Sequence, residues 1–288
     1  MTEIFGAVAG ALSIAALFNN CVQCFEYLQL GRQFGRDFEH YQLKLDIAKL
    51  RLTRWGESVK VNEDPRFANP ATSDRDARQV QAILENLETL FQTVHRSSKR
   101  YSIDAEQREL VTFETNQMQP VFRRLHNRLD SLTRQRQKQT SYFKKAAWAL
   151  YDCKSFDKMI RQISGFVEDL EKILPQERIR HRLAELEIED IDHEASLMTL
   201  KAAAVSTDNL LLSILEQRIE KVTARNCVNH LNGEDGARVL VGNAWNGSAL
   251  TFNSGALDQT HNTVHSVSAK GHSAMQIGNT YGGKGIFD

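Results

Sequence analysis

The sequence predicts an all-α helical bundle over residues 1–225, followed by a C-terminal tail, 226–288, of a different physical kind. Three observations carry this reading. Apolar residues recur at alternating spacings of three and four through the first part, and no convincing strand pattern occurs before Arg225. Charge divides at the same place: residues 1–225 hold 33 basic and 32 acidic side chains, the tail only 3 and 4. The tail also holds 10 of the 16 Gly and none of the 4 Pro, and two of its stretches repeat each other at an offset of 36. At 288 residues the chain can bury a core without disulfides or metals. Its net charge of zero excludes a generally basic surface for nucleic acid.

The first element is apolar. Ile4 to Phe18 has no charge and one polar residue, Ser13. Fifteen helical residues rise about 22 Å, short of a ~30 Å hydrocarbon core. Extending to Phe25 adds length but takes in Asn19, Asn20 and Gln23. The segment, with Ile4, Phe5, Gly6, Gly10, Leu12, Ile14, Leu17 and Phe18, therefore reads either as a buried core helix or as a membrane-active one. Gly6 and Gly10 would permit close helix approach in lipid. Glu3 and the lack of a preceding base argue against a secretory signal. Cys21 and Cys24 lie inside this apolar pattern. With no second pair at zinc spacing, this pair reads as small buried hydrophobes, and the setting as reducing and cytoplasmic.

Amphipathic stripes follow in order. The first runs Phe38, Tyr41, Leu45, Ala48, Leu52, Trp55 and Val59, and the second Ala77, Val80, Leu84, Leu87, Phe91 and Val94. Two more are Met118 to Leu132 and Phe156 to Leu174, and Leu212, Leu215, Ile219 and Val222 suggest a last short helix. Thr207 or Asp208 would cap it. Asp64-Pro65 and Asn69-Pro70 mark a loop, and Pro175 suits the first turn of a new helix. Two stretches are biased in charge: 118–145 has eight bases and one acid, 168–194 ten acids and four bases. Each reads as a solvated face, or the basic one as a surface for anionic lipid. No catalytic constellation, phosphate-binding glycine loop or metal motif occurs, so neither an enzyme nor a cofactor is expected.

The tail carries the sharpest signal. Residues 226–243 align without a gap to residues 262–279, the two joined by a Gly/Asn/Ser-rich connection. Asn226/Asn262, Val228/Val264, Gly242/Gly278 and Asn243/Asn279 are identical pairs. Leu231/Val267, Val239/Met275 and Val241/Ile277 are apolar pairs, and Glu234 faces Lys270. A repeat too short for a helix pair suggests stacked rungs about 4.8 Å apart, with Asn on Asn and opposite charges together. Two rungs leave open edges, which identical chains would cover. The other reading is a disordered tail. The two are compatible: disordered in the soluble monomer, and a two-rung β-solenoid as amyloid.

Specific stretches carry a resemblance. Val8-Ala9-Gly10-Ala11-Leu12, Leu17-Phe18-Asn19-Asn20-Cys21-Val22, Arg54-Trp55-Gly56-Glu57, Asp64-Pro65-Arg66-Phe67, Trp148-Ala149-Leu150-Tyr151-Asp152 and Tyr281-Gly282-Gly283-Lys284-Gly285 are among them. Along essentially its whole length the chain resembles the fungal HET-s/HET-S heterokaryon incompatibility prion proteins. The resemblance implies a helical HeLo domain and a prion-forming domain whose amyloid template converts a HET-S-type partner. It implies that the N-terminal helix is expelled into the membrane, relocating the protein there, and that the cell dies. It also implies that NOD-like receptors with a similar motif can seed the fold. Tyr281, Ile286 and Phe287 stand where the family closes a hydrophobic pocket. Ala274 opposite Arg238, and Gly236 opposite His272, depart from the family's repeated charges and leave Glu234/Lys270 as the clearest pair. Expected partners are the chain itself, such a partner or receptor, and membrane lipid, but no nucleic acid. A soluble helical interaction module whose tail only recruits a partner is the alternative.

Overall fold

The computed structural model describes residues 13–31, 34, 37–68, 73–106, 115–137, 148–150, 152–223, 225–245 and 261–281. The chain divides between Leu215 and Glu216 into two compact units.

The first unit is mainly helical. Helix α1 spans Ile14–Tyr27 and is capped by Ser13, whose Oγ accepts from the Ala16 amide at 3.2 Å. Its Ile14, Leu17, Phe18, Cys21, Val22 and Phe25 are buried. Helix α2, Phe38–Ser58, is buried almost all round from Leu43 to Gly56. A helix covered on every side is a central one: α1, α5, α6, α7 and α8 all pack on it. The short α3 is Pro65–Ala68, with Pro65 opening it and Asp64 accepting from the Arg66 amide. Helix α4, Arg75–Glu106, presents the expected stripe Ala77, Val80, Leu84, Leu87 and Phe91, all buried, to α1 and α6.

Helix α5, Pro120–Arg136, starts on a proline, and α6, Cys153–Ile173, is capped by Asp152. The amides of Lys154 and Ser155 and the Ser155 hydroxyl donate to Asp152. The hydroxyl first, and then the amides, outweigh the effect of burial and hold this carboxyl below its usual range. Helix α7 is Glu177–Ile188, so Pro175 lies just ahead of the helix rather than in its first turn. Helix α8 is Glu194–Ala204 and α9 is Asn209–Thr223. Of the two candidate caps for α9, Asp208 accepts from the Leu211 amide at 3.1 Å.

A short sheet also departs from the sequence reading. Strands β1, Leu28–Leu30, and β2, Trp148–Leu150, form a parallel pair inside the helical unit. Three residues are too few to show a period of two, and only the distant partner makes them strands.

Among its described residues the tail contains six strands: β3 (Arg225–Gly233), β4 (Arg238–Val241), β5 (Ala244–Trp245), β6 (His261–Ala269), β7 (Ala274–Ile277) and β8 (Thr280–Tyr281). They pair in parallel as β3–β6, β4–β7 and β5–β8, and every registered partner is 36 residues away. Asp235 and Gly236, with φ of 39° and 82°, turn the chain between β3 and β4, and Gly271 at 66° does so in the second copy.

Candidate functional site

In the tail the two copies meet residue by residue. Asn226 pairs with Asn262, Val228 with Val264, Leu231 with Val267, Val239 with Met275 and Val241 with Ile277. Four asparagines are linked by their side chains. Asn226 Nδ2 donates to Asn262 Oδ1 at 2.8 Å and to Asn243 Oδ1 at 3.5 Å, Asn262 Nδ2 to Asn279 Oδ1 at 3.0 Å, and the Asn243 backbone N–H to the same Asn279 oxygen at 3.0 Å. Such a network satisfies polar groups at the bends between strands. His230 Nδ1 and Ser266 Oγ lie 2.5 Å apart, an exposed contact that the sequence pattern did not reveal because the two residues are unlike.

The bend after β4 is tight. A Cβ on Gly242 would lie 1.9 Å from the Gly278 carbonyl oxygen, so only glycine lets the two copies approach there. Gly278 itself has a φ of 135°. Glu234 and Lys270 face each other across the copies at 3.9 Å, with both side chains mostly in water. Burial is unequal: Leu231 and Val241 are 8% and 6% exposed, while their partners Val267 and Ile277 are 50% and 47% exposed. The second copy therefore shows an apolar edge where the first does not. Tyr281 pairs by backbone with Trp245, and Ile286 and Phe287 lie outside the described residues.

The N-terminal segment is a second candidate. Ile4, Phe5, Gly6, Gly10 and Leu12 lie outside the described residues. Ile14, Leu17 and Phe18 are buried in α1. Phe18 packs so closely on α2 that a Cβ on Gly56 would meet the tip of its ring at 2.3 Å. Asn19 Nδ2 donates to Asn62 Oδ1 at 2.8 Å, and the Cys21 thiol to the Leu84 carbonyl at 3.3 Å. Two buried oxygens on the same helix, Asn19 Oδ1 and Gln23 Oε1, find no partner among the described residues. Each such orphan costs about 1–3 kcal/mol, so α1 is held less firmly than its burial suggests. Among the described residues, no helix is long and apolar enough to cross a membrane.

The charge-biased stretches turn out to serve each other. Arg128 reaches the Glu187 carbonyl at 2.9 Å and Asp190 at 3.1 Å, and Arg136 reaches Glu187 at 2.7 Å. Arg54, fully buried on α2, grips Glu187 with two bonds of 2.9 and 2.6 Å, and its Nη2 lies 2.8 Å from Asp208. Burial opposes the charge on Arg54, but Asp208 and then Glu187 outweigh it and hold the guanidinium above its ordinary pKa. Burial likewise pushes Asp208 up, yet Arg54, Arg51 and the Leu211 amide hold it below the carboxylate range. Arg51 adds a bidentate grip on Glu171 and a bond to the Thr207 carbonyl. Sequence reasoning found Asp208 only as a cap, because nothing local shows that Arg54 is buried against it. Lys138, Lys144 and Lys145 lie outside the described residues. Among the described residues, no group of His, Cys, Asp and Glu could hold a metal ion.

Comparison with known proteins addresses the whole chain. Residues 6–200 match the HeLo family, described as prion-inhibition and propagation, and residues 218–282 match the family described as Het-s 218-289. Heterokaryon incompatibility protein s of Podospora anserina is 50% identical over 288 residues, all of both chains. Heterokaryon incompatibility protein S of the same fungus is also 50% identical over the full length. The solved HET-s N-terminal domain superposes with a TM-score of 0.71 at 52% identity, covering 73% of this chain and 98% of that one.

Proposed function

The chain belongs to the HET-s family of heterokaryon incompatibility prion proteins, with a HeLo domain ahead of a prion-forming tail, and from that premise we propose that its tail is a templated amyloid switch acting on its helical domain. In the soluble, cytoplasmic monomer the tail is disordered, and the strand pairing described above is that of its converted form. A template supplied by another copy, a HET-S-type partner or a NOD-like receptor with a similar motif folds it into a two-rung β-solenoid that stacks on further copies. The conversion loosens the helical domain and frees α1 with the residues before it. The released segment enters the cell membrane, and the cell dies. No catalytic step is involved.

The observation that supports this most is the 36-residue register, in which like side chains and one pair of opposite charges meet. A surface that pairs with its own near-copy can pair with the same surface of another chain. The two α1 oxygens that find no partner among the described residues favour a helix that can leave. A second reading, a soluble helical module whose tail recruits a partner, is favoured by the depth at which Leu17 and Phe18 are buried.

Seeded full-length protein mixed with anionic vesicles tests the proposal. Sedimenting fibrils together with vesicle leakage are expected. Fibrils without leakage would leave the recruiting module, and a tail that stays soluble with seeds present would sink both the rung pairing and the switch.

A further inference from the structure

A cleft of about 270 Å³ opens between the end of α1, the middle of α2 and α5. Its floor is polar. His126 of α5 stands with Nδ1 2.7 Å from Asp46 Oδ2 of α2, and Gln42 Nε2 donates to the other Asp46 oxygen at 3.0 Å. Lys49 of α2 is nearly buried and bridges Glu26 of α1 at 3.1 Å and Asp130 of α5 at 3.7 Å. Arg134 completes the charged lining and binds Asp130 at 2.8 Å. Among the described residues, no side chain of α8, which also packs on α5, lines the cleft.

We propose that the His126–Asp46 pair is a proton-operated joint between α5 and α2, tighter when the imidazole is protonated and looser when it is neutral. A contact of 2.7 Å to a carboxylate fits a charge-assisted bond, and protonation adds a full ion-pair attraction that the neutral Nδ1–H tautomer, which keeps the hydrogen bond, lacks. His126 is 20% exposed and Asp46 10%, so solvent can reach the proton while the pair stays little screened. Burial opposes protonation, but the Asp46 hydrogen bond and the charges of Asp46 and Asp130 outweigh it, with Lys49 working against them. The net effect raises the pKa of His126 above its ordinary 6.5. A raised folded-state value means that the stabilisation is complete below about pH 6.5 and is lost as pH rises through the higher folded value. Phe25 and Glu26 of α1 form the facing wall, so a looser joint removes support from the end of the helix that the proposed switch releases. This last consequence rests on that proposed function, whereas the joint itself does not.

The full-length chain is titrated by following the His126 ring signal by NMR from pH 5 to 9. Thermal unfolding is then compared at pH 5.5 and 8.5 for wild type, His126→Gln and Asp46→Asn. The expected ring midpoint lies above 6.5. The wild type should lose about 2–4 °C more than either variant between the two pH values. Comparing against variants cancels the other histidines. A midpoint at or below 6.5, or variants with the wild-type pH dependence, would overturn the joint. If a variant does not fold, the wild-type ring titration decides alone. Seeded vesicle leakage should be faster at pH 8 than at pH 6 for wild type and equal for His126→Gln. No leakage in any sample would count against the membrane switch, and the melts would still decide the joint.

Discussion

Alanine at Gly242 should block the tail from pairing with its own repeat, and the structure sets the size of the effect. The added Cβ would sit 1.9 Å from the Gly278 oxygen and 2.5 Å from its carbonyl carbon, whereas ordinary contact begins at 3.4 Å. The copies must therefore part by about 1.5 Å at that bend. Three bonds cross there: Gly278 N to Val241 O at 3.0 Å, Asn243 N to Asn279 Oδ1 at 3.0 Å, and Thr280 N to Asn243 O at 2.8 Å. Stretching two of them past hydrogen-bonding range costs about 2–4 kcal/mol, counting about 1 kcal/mol net for each and some desolvation left unrepaid. At about 1.4 kcal/mol per tenfold, the chain left in solution at equilibrium with fibrils should rise roughly 30- to 1,000-fold. Gly236→Ala is the control, because its φ of 82° strains alanine but open space surrounds it. It should cost about 1–2 kcal/mol. The assay is sedimentation of seeded full-length protein, with the supernatant measured after growth stops. A Gly242→Ala supernatant within about threefold of wild type, or no higher than that of Gly236→Ala, would refute the close approach of the two bends.

The buried charge cluster gives a stability prediction. Glu187→Gln leaves Arg54 without its bidentate carboxylate, and breaking a buried pair costs about 3–5 kcal/mol; calorimetry should show a fall of roughly 10 °C in the helical transition. Asp208 stabilises the fold above the ordinary carboxylate value of 3.8 and loses that effect as pH falls through its lower folded-state value. Asp208→Asn should therefore flatten the acid limb of an unfolding curve measured from pH 5 to 2. Gly56→Ala drives a methyl into Phe18 and should cost about 1–3 kcal/mol in urea unfolding, with Phe18→Leu in the same chain recovering part of the loss. Lys270→Glu sets like charges across the copies. Because the site is exposed, seeded elongation should slow only about two- to fivefold. Adding Glu234→Lys should restore the rate, and high salt should mask the effect.

What could be seen in the sequence follows from how local each cause is. The stripe from Ala77 to Phe91 was legible because one face of one helix is buried, and that face repeats every three or four residues. Helix α2 shows a stripe too, yet it is buried on all sides, so Lys49, Arg51 and Arg54 read as surface charges until their partners are known. Those partners lie far along the chain: Arg54 meets Glu187 across a separation of 133 residues. The short strands Leu28–Leu30 and Trp148–Leu150 were hidden for the same reason. The tail is the opposite case. Its long-range partner is a copy of itself, so non-local pairing is written as local repetition, and an alignment at offset 36 gives the same register as the strand pairs.

The two parts of the chain use charge and polarity for opposite ends. In the helical unit, buried cations meet carboxylates at fixed places, as Arg54 meets Glu187 and Asp208 and Arg51 meets Glu171. Such pairs add little net stability, but any other packing that leaves one member alone is heavily penalised. In the tail the asparagine contacts are between like residues, Asn226 with Asn262 above all, and the apolar contacts are between near-equals. Like-with-like contacts do not distinguish the second copy of one chain from the first copy of the next. The exposed Val267 and Ile277 repeat, at the open edge, the chemistry that Leu231 and Val241 bury. A first copy from another chain would meet there the same kind of apolar partners that its own second copy supplies. On the proposed reading, the tail's sparse charge then has a physical role, since stacking identical chains brings little repulsion to oppose it.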